Sequence, residues 1–185
     1  MVLYAALIFG ITIFALAYAM KPTKPLPKKQ ATNSLPKKAL EIEVRKNASL
    51  SQIAHDLGTS WRKVAELNQI KNPDLIFPGQ KIKVFPFDET NIVKVSWYGP
   101  GFHGKTMANG KIYNMNDEKV VAHKWLPFNT KVRLTRIDNN KSITAIVQDR
   151  GPYVAGRIFD LSYGAAKQLG MIDEGLTTCK VQVLN

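Results

Sequence analysis

Two folded modules in series are predicted: a small two-layer α+β unit at residues 42–86, then an all-β barrel at residues 93–185. Three observations predict them. Residues 42–86 carry strand, helix, helix and strand patterns in that order. Residues 93–185 repeat short apolar strands between turn signals and hold one brief helical pattern, the mark of a closed barrel. Residues 21–40 hold four prolines, six lysines and no acid, so they cannot bury a core and separate the folded part from what precedes it.

Residues 1–20 carry no charged side chain and are just long enough to cross a bilayer, and Ala17-Tyr18-Ala19 has the small-x-small pattern of a signal-peptidase site. The expectation is a signal peptide or membrane anchor, which places the chain in the cell envelope, periplasmic or extracellular, with membrane contact through residues 1–20 if they stay uncleaved. Cysteine is absent near residue 20, so a lipoprotein is not expected. Charge agrees with a wall partner: the formal net charge of +12 over 185 residues favours anionic surfaces and polymers. Nucleic acid is suggested by charge alone and ranks last. The single cysteine, Cys179, excludes an internal disulfide.

Within residues 42–86, Ile42-Glu43-Val44 alternates as a strand. Ser49 and Gln52 have capping-box spacing, and Leu50, Ile53, Ala54 and Leu57 line one helical face that ends at Gly58. Thr59 or Ser60 caps a second helix through Trp61, Val64 and Leu67. Pro73 and Pro78-Gly79 are turns, and Lys81 to Val84 is the closing strand. The run Ser49-Leu50-Ser51-Gln52-Ile53-Ala54, with Asn68, Asn72-Pro73-Asp74-Leu75-Ile76 and Pro78-Gly79-Gln80, resembles the lysin motif (LysM) family. That resemblance implies binding of N-acetylglucosamine-containing glycan between two loops, through Asn47, Ser49, Leu50, Asp74, Leu75 and Ile76. It departs from the family at Lys46-Asn47, where Gly-Asp is usual. Taken singly, Leu50 and Ile76 read better as core.

In the second module the strand patterns are Val93 to Trp97, Thr130 to Leu134, Ile143 to Val147, Ile158 to Leu161 and Lys180 to Leu184. His123 ends a Val-Val-Ala run, and a helix from about Ser162 to Leu169 stops at Gly170. Two carboxylates, Asp149 and Asp160, stand eleven positions apart at the edges of apolar runs. Asp149 sits where a strand gives way to Gly151-Pro152, a rigid mount at a rim that suits a general acid. Asp160 precedes a helix, where a carboxylate is also stabilising for structural reasons.

Ser96-Trp97-Tyr98-Gly99-Pro100-Gly101-Phe102-His103-Gly104, Thr106-Met107-Ala108-Asn109-Gly110, Ala122-His123-Lys124-Trp125-Leu126-Pro127 and the Asp149 stretch together resemble the rare lipoprotein A (RlpA) family. The resemblance implies a six-stranded double-psi β-barrel and lytic transglycosylase activity on peptidoglycan strands stripped of peptide. Septal or other envelope proteins are implied as partners. A lytic transglycosylase needs one carboxyl group, because the muramic C6 hydroxyl of the substrate is its own nucleophile; that group must begin protonated.

Asp149 is the first choice for this acid, with Asp160 and His123 as further catalytic candidates and Trp97, Tyr98, Phe102, His103, Tyr113 and Arg150 as substrate-binding ones. Arg150 is expected to point away from Asp149 or toward substrate. No cofactor is expected, and no metal, since the histidines and Cys179 lack ligand spacing. The family's Gly-Glu-x-Tyr appears here as Gly110-Lys111-Ile112-Tyr113, so a non-catalytic, expansin-like binding and remodelling protein is the alternative.

Overall fold

The computed structural model describes residues 38–88 and 91–184. The apolar segment at 1–20 and nearly all of the Lys/Pro-rich linker lie outside the described residues. No helix among the described residues is long and apolar enough to cross a membrane.

The first module is built as the periodicity predicts. Strand β1 (Leu40–Glu43) leads to helix α1 (Leu50–Asp56), helix α2 (Trp61–Leu67) and strand β2 (Lys81–Val84), which pairs antiparallel with β1. Ser49 caps α1, its hydroxyl accepting from Gln52 N at 3.2 Å, but the capping box is not closed. The Gln52 side chain turns instead to Asp56, at 3.0 Å. Ser60 caps α2 in the same way. Leu50, Ile53, Ala54 and Leu57 are buried with Val64, Ile82 and Val84; each large aliphatic side chain taken out of water contributes roughly 1.5–3 kcal/mol.

Asn68 supplies a local brace. Its amide donates to Val64 O (2.8 Å) and Lys83 O (2.7 Å) while its oxygen accepts from Lys83 N (2.7 Å), so it acts as a substitute strand on the free side of β2. Asn68→Ala is expected to cost about 1–3 kcal/mol by leaving these backbone groups without their partner. Chemical denaturation of the full chain measures it.

The second module is a closed barrel with strand order β3-β7-β4-β6-β5-β8. Its strands are β3 (Ile92–Tyr98), β4 (Val120–Ala122), β5 (Lys131–Arg136), β6 (Ser142–Asp149), β7 (Phe159–Ser162) and β8 (Leu176–Leu184). Helix α3 (Tyr163–Leu169) follows β7, capped by Ser162 and ended by Gly170 in the left-handed conformation. The pairs β3–β7 and β4–β6 are parallel, whereas the remaining pairs are antiparallel. Alternate residues fill the interior, among them Val95, Val121, Val132, Leu134, Ala145, Val147, Phe159, Leu161 and Val181. The outward positions Lys131, Arg133 and Thr135 of β5 and Lys180 and Gln182 of β8 are polar or charged, as period-two patterning requires.

The two modules share one apolar core. Phe87, in the connection between them, is 2 % exposed. Its backbone N–H donates to Leu57 O at 2.8 Å, and its ring meets His123 edge-on at 5.9 Å and Phe159 at 5.6 Å. Asp56, at the end of α1, is 2 % exposed and reaches the barrel. Its Oδ2 accepts from Trp125 Nε1 at 2.9 Å, and Lys124 Nζ lies 3.4 Å from the carboxylate.

Candidate active site

Ala122 is the centre of the site. In the barrel order it lies between β6 and β7, paired with Asp149 on one side and Asp160 on the other. Two strand spacings put those Cα atoms roughly 9–10 Å apart. A register shift between Val121 and Ala122 lets the strand end reach Asp149. The cleft above is lined by Tyr98, Phe102, Asp149, Arg150, Tyr153 and Asp160, among others.

The two carboxylates have different surroundings. Asp149 Oδ1 accepts from Ala108 N at 2.9 Å and Arg150 N at 2.8 Å. It thereby pins the short hairpin bridged at Thr106–Ile112 against the Asp149 turn. Asp160 lies within β7, its side chain accepting a hydrogen bond from Ser96 Oγ. Burial holds the Asp160 carboxyl above the usual carboxylate range, opposed in part by the Ser96 hydrogen bond and by Arg157. Gly151, with φ of +141°, occupies backbone space open to glycine and brings the turn close to Asp160 Oδ2.

Arg150 points away from the acid, one of the two directions expected from sequence. Its Nη1 donates to His123 O (3.2 Å) and Leu126 O (3.0 Å), and the guanidinium lies 3.7 Å from the Phe128 ring centroid. Burial, then the neighbouring Arg45, lowers its pKa to about 10, so it stays charged at neutral pH.

His123 does not reach the cleft. It is 0 % exposed, Nδ1 accepts from Trp125 N and Leu126 N at 3.0 Å each, and Nε2 is therefore the protonated nitrogen donating to Asp56 O at 3.0 Å. Burial lowers its pKa to about 3, which leaves it neutral. With both ring nitrogens engaged it has none for a sugar or an acid, and the expected catalytic role gives way to one in the seam between modules.

The aromatic candidates also separate. Tyr98 stacks on buried Tyr113 at 4.3 Å and meets Phe102 edge-on at 5.7 Å; Tyr113 Oη donates to Tyr98 O at 2.8 Å. Tyr98 and Phe102 face the cleft, with Tyr113 as the support beneath them. Tyr98 Oη is buried without a hydrogen-bond partner among the described residues. Burial and then Tyr113 raise the pKa of this phenol strongly, so it is a permanent donor. Trp97 packs edge-on against Tyr163 at 5.6 Å, outside the cleft lining. His103 is exposed on a loop, its Nδ1 accepting from Met115 N at 3.2 Å. Lys111 is exposed and is not among the cleft-lining residues.

Sequence reasoning did not single out Ser96 or Tyr153. Ser96 is a polar residue inside a strand pattern, a weak signal of a buried partner. Tyr153, 78 % exposed after the Gly-Pro turn, is a large aromatic ring in water at a rim.

On the first module, Asn47, Ser49, Asp74 and Leu75 are exposed. Hydrogen bonds from Val44 N to Gln80 O and from Gly79 N to Val44 O, both 2.8 Å, bring the loop after Pro73 beside the one before Ser49. Leu50 is 1 % exposed and belongs to the core, which corrects its expected glycan contact. Ile76 is half-buried against the core. Phe77, 63 % exposed on the same loop, was not anticipated.

Comparison with known proteins agrees with this architecture. Residues 90–183 match the family model described as lytic transglycolase, and residues 42–85 match the LysM domain. The chain is 51 % identical over 89 residues to endolytic peptidoglycan transglycosylase RlpA of Campylobacter jejuni, covering 48 % of this chain and 32 % of that protein. It is 47 % identical over 89 residues to the protein of the same name from Helicobacter pylori, covering 48 % and 28 %. For that of Vibrio cholerae it is 40 % over 115 residues, covering 61 % and 43 %. The matched region thus spans less than half the length of these relatives. The barrel domain accounts for half of the chain, and the chain belongs to the lytic transglycolase family, with a LysM domain ahead of its double-psi β-barrel.

Proposed function

We propose that the protein is an endolytic peptidoglycan transglycosylase that cuts peptide-free glycan strands and leaves 1,6-anhydromuramyl ends, with the LysM module holding it on the glycan. One observation carries the reading: Asp160 lies in an open cleft yet is buried enough to keep its proton above the usual carboxylate range. The relatives named endolytic peptidoglycan transglycosylases support the choice of substrate. A peptidoglycan substrate places the work in the cell envelope, where septal or other envelope proteins would be its partners.

Asp160, rather than Asp149, is assigned as the acid. Its proton passes to the glycosidic oxygen as the C1–O bond breaks, and positive charge develops at the muramic C1. The Asp160 carboxylate then takes the proton of the C6 hydroxyl while O6 bonds to C1, so no water is consumed. Asp149, across Ala122, faces the developing charge and holds the hairpin that bounds the cleft. Tyr98, Phe102 and Tyr153 offer ring faces to sugars.

Digestion of peptide-free strands followed by mass analysis tests the reading. New ends one water lighter than hydrolysis products support it; intact strands that remain bound to the protein would favour the binding-only alternative. Ser96→Ala gives a sharper check. Removing the hydrogen bond that lowers the Asp160 pKa raises that pKa further. An acid is lost as pH rises through its pKa, so the basic limb of kcat/KM moves up. A limb that stays fixed or moves down contradicts the assignment.

A further inference from the structure

We propose that the LysM module is a working part of the active site, with Asp56 as a positioning residue for the catalytic turn; the proposal rests on the transglycosylase reading above. Asp56 is the feature that a simple tether does not require. A module joined by a linker raises local substrate concentration and needs no buried charge against its neighbour. Burying a carboxylate is costly unless its oxygens are met.

Here they are met mostly by the barrel. Oδ2 takes the Trp125 indole N–H at 2.9 Å, Lys124 Nζ lies 3.4 Å away, and Gln52 Nε2 of the same helix donates to Oδ1 at 3.0 Å. The backbone oxygen of Asp56 takes His123 Nε2 at 3.0 Å. Three consecutive barrel residues, 123 to 125, therefore converge on one LysM residue. Arg45, also in the LysM module, adds its guanidinium 5.0 Å from the Trp125 ring centroid.

The opposite side of that turn carries the cleft. His123 follows Ala122 directly, and its N–H donates to Asp149 O at 3.2 Å. The carbonyls of His123 and Leu126 hold the Arg150 guanidinium, and Arg150 N donates to Asp149 Oδ1 at 2.8 Å. A continuous set of hydrogen bonds thus runs from Asp56 through the 123–126 turn and Arg150 to Asp149. Releasing the turn from Asp56 would loosen the Asp149 rim opposite Asp160. Displacements of about 1 Å at such a site are enough to cost turnover severely.

The test uses the full chain, with Asp56→Ala and the milder Trp125→Phe, which deletes one donor and keeps a ring. On peptide-free glycan strands, Asp56→Ala is expected to lower kcat roughly 10-fold with KM changed less than about 2-fold. Asp56→Asn, which keeps an acceptor for Trp125, should recover part of the loss. Independently of turnover, the backbone amides of His123, Arg150 and Ala108 should exchange with solvent at least roughly 10-fold faster in both variants. If Asp56→Ala fails to fold, Trp125→Phe carries both readouts. Unchanged exchange at these amides, or a raised KM with kcat intact, overturns the proposal and returns the LysM module to the role of tether. A wild-type chain without turnover would instead remove the transglycosylase reading, and the exchange measurement would still decide whether Asp56 braces the turn.

Discussion

Asp160→Asn is expected to lower the rate of anhydro-end formation by roughly 100–10,000-fold, the usual contribution of a general acid, without unfolding the protein. The amide is nearly isosteric, and its oxygen can still accept from Ser96 Oγ. Stability should move in the opposite direction to activity. Burial raises the Asp160 pKa in the folded state above that of the unfolded chain, so the folded state holds this proton more tightly. Its contribution is therefore most favourable below the unfolded value of about 3.9 and is lost as pH rises through the folded pKa. Asn cannot ionise and escapes that loss, so Asp160→Asn should melt at or above the wild-type temperature at neutral pH. Asp149→Asn should act differently, since it alters an acceptor of two backbone N–H groups at the rim. It should lower turnover without shifting the basic limb of the pH profile. If Asp149→Asn were the variant that abolished turnover and Asp160→Asn retained most of it, the two roles would be reversed.

The largest stability effect is expected at Phe87→Ala. Its ring lies between Gly58 of the LysM module and His123 and Phe159 of the barrel, so truncation opens a cavity where the two cores meet. Loss of a buried phenylalanine ring costs roughly 3–5 kcal/mol, a fall in Tm of roughly 6–20 °C for a chain of this size. Phe85, two residues earlier and 45 % exposed, is the control. Phe85→Ala should change stability by about 0.5 kcal/mol or less. Equal small effects at both positions would mean that the modules are stable independently of their seam.

Local physics made much of the fold legible. The spacing of Leu50, Ile53, Ala54 and Leu57, with Ser49 before and Gly58 after, specifies α1 almost to the residue. Ser162 and Gly170 do the same for α3. The seam was not legible, because Asp56 meets Trp125 across 69 positions and nothing near Asp56 in sequence marks it as buried. His123 failed for a related reason. A histidine at the end of a strand is expected near the rim, but its ring turns inward to a carbonyl in the other module.

The carboxylates show where sequence reasoning stops. Both Asp149 and Asp160 could be picked from the edges of apolar runs. The desolvation of Asp160 depends on β7 being inserted between β3 and β4, a non-local pairing that no periodicity reports. The turn chemistry points to Asp149, whereas the acid proposed above is Asp160.

The proposed reaction breaks a glycosidic bond by internal attack, with one carboxyl group and no water. Digestion of peptide-free glycan strands in heavy-oxygen water tests it most directly. Transglycosylation predicts new muramyl ends that carry no solvent oxygen, and loss of those ends in Asp160→Asn. One heavy oxygen at each new reducing end would mean hydrolysis and rule out transglycosylation.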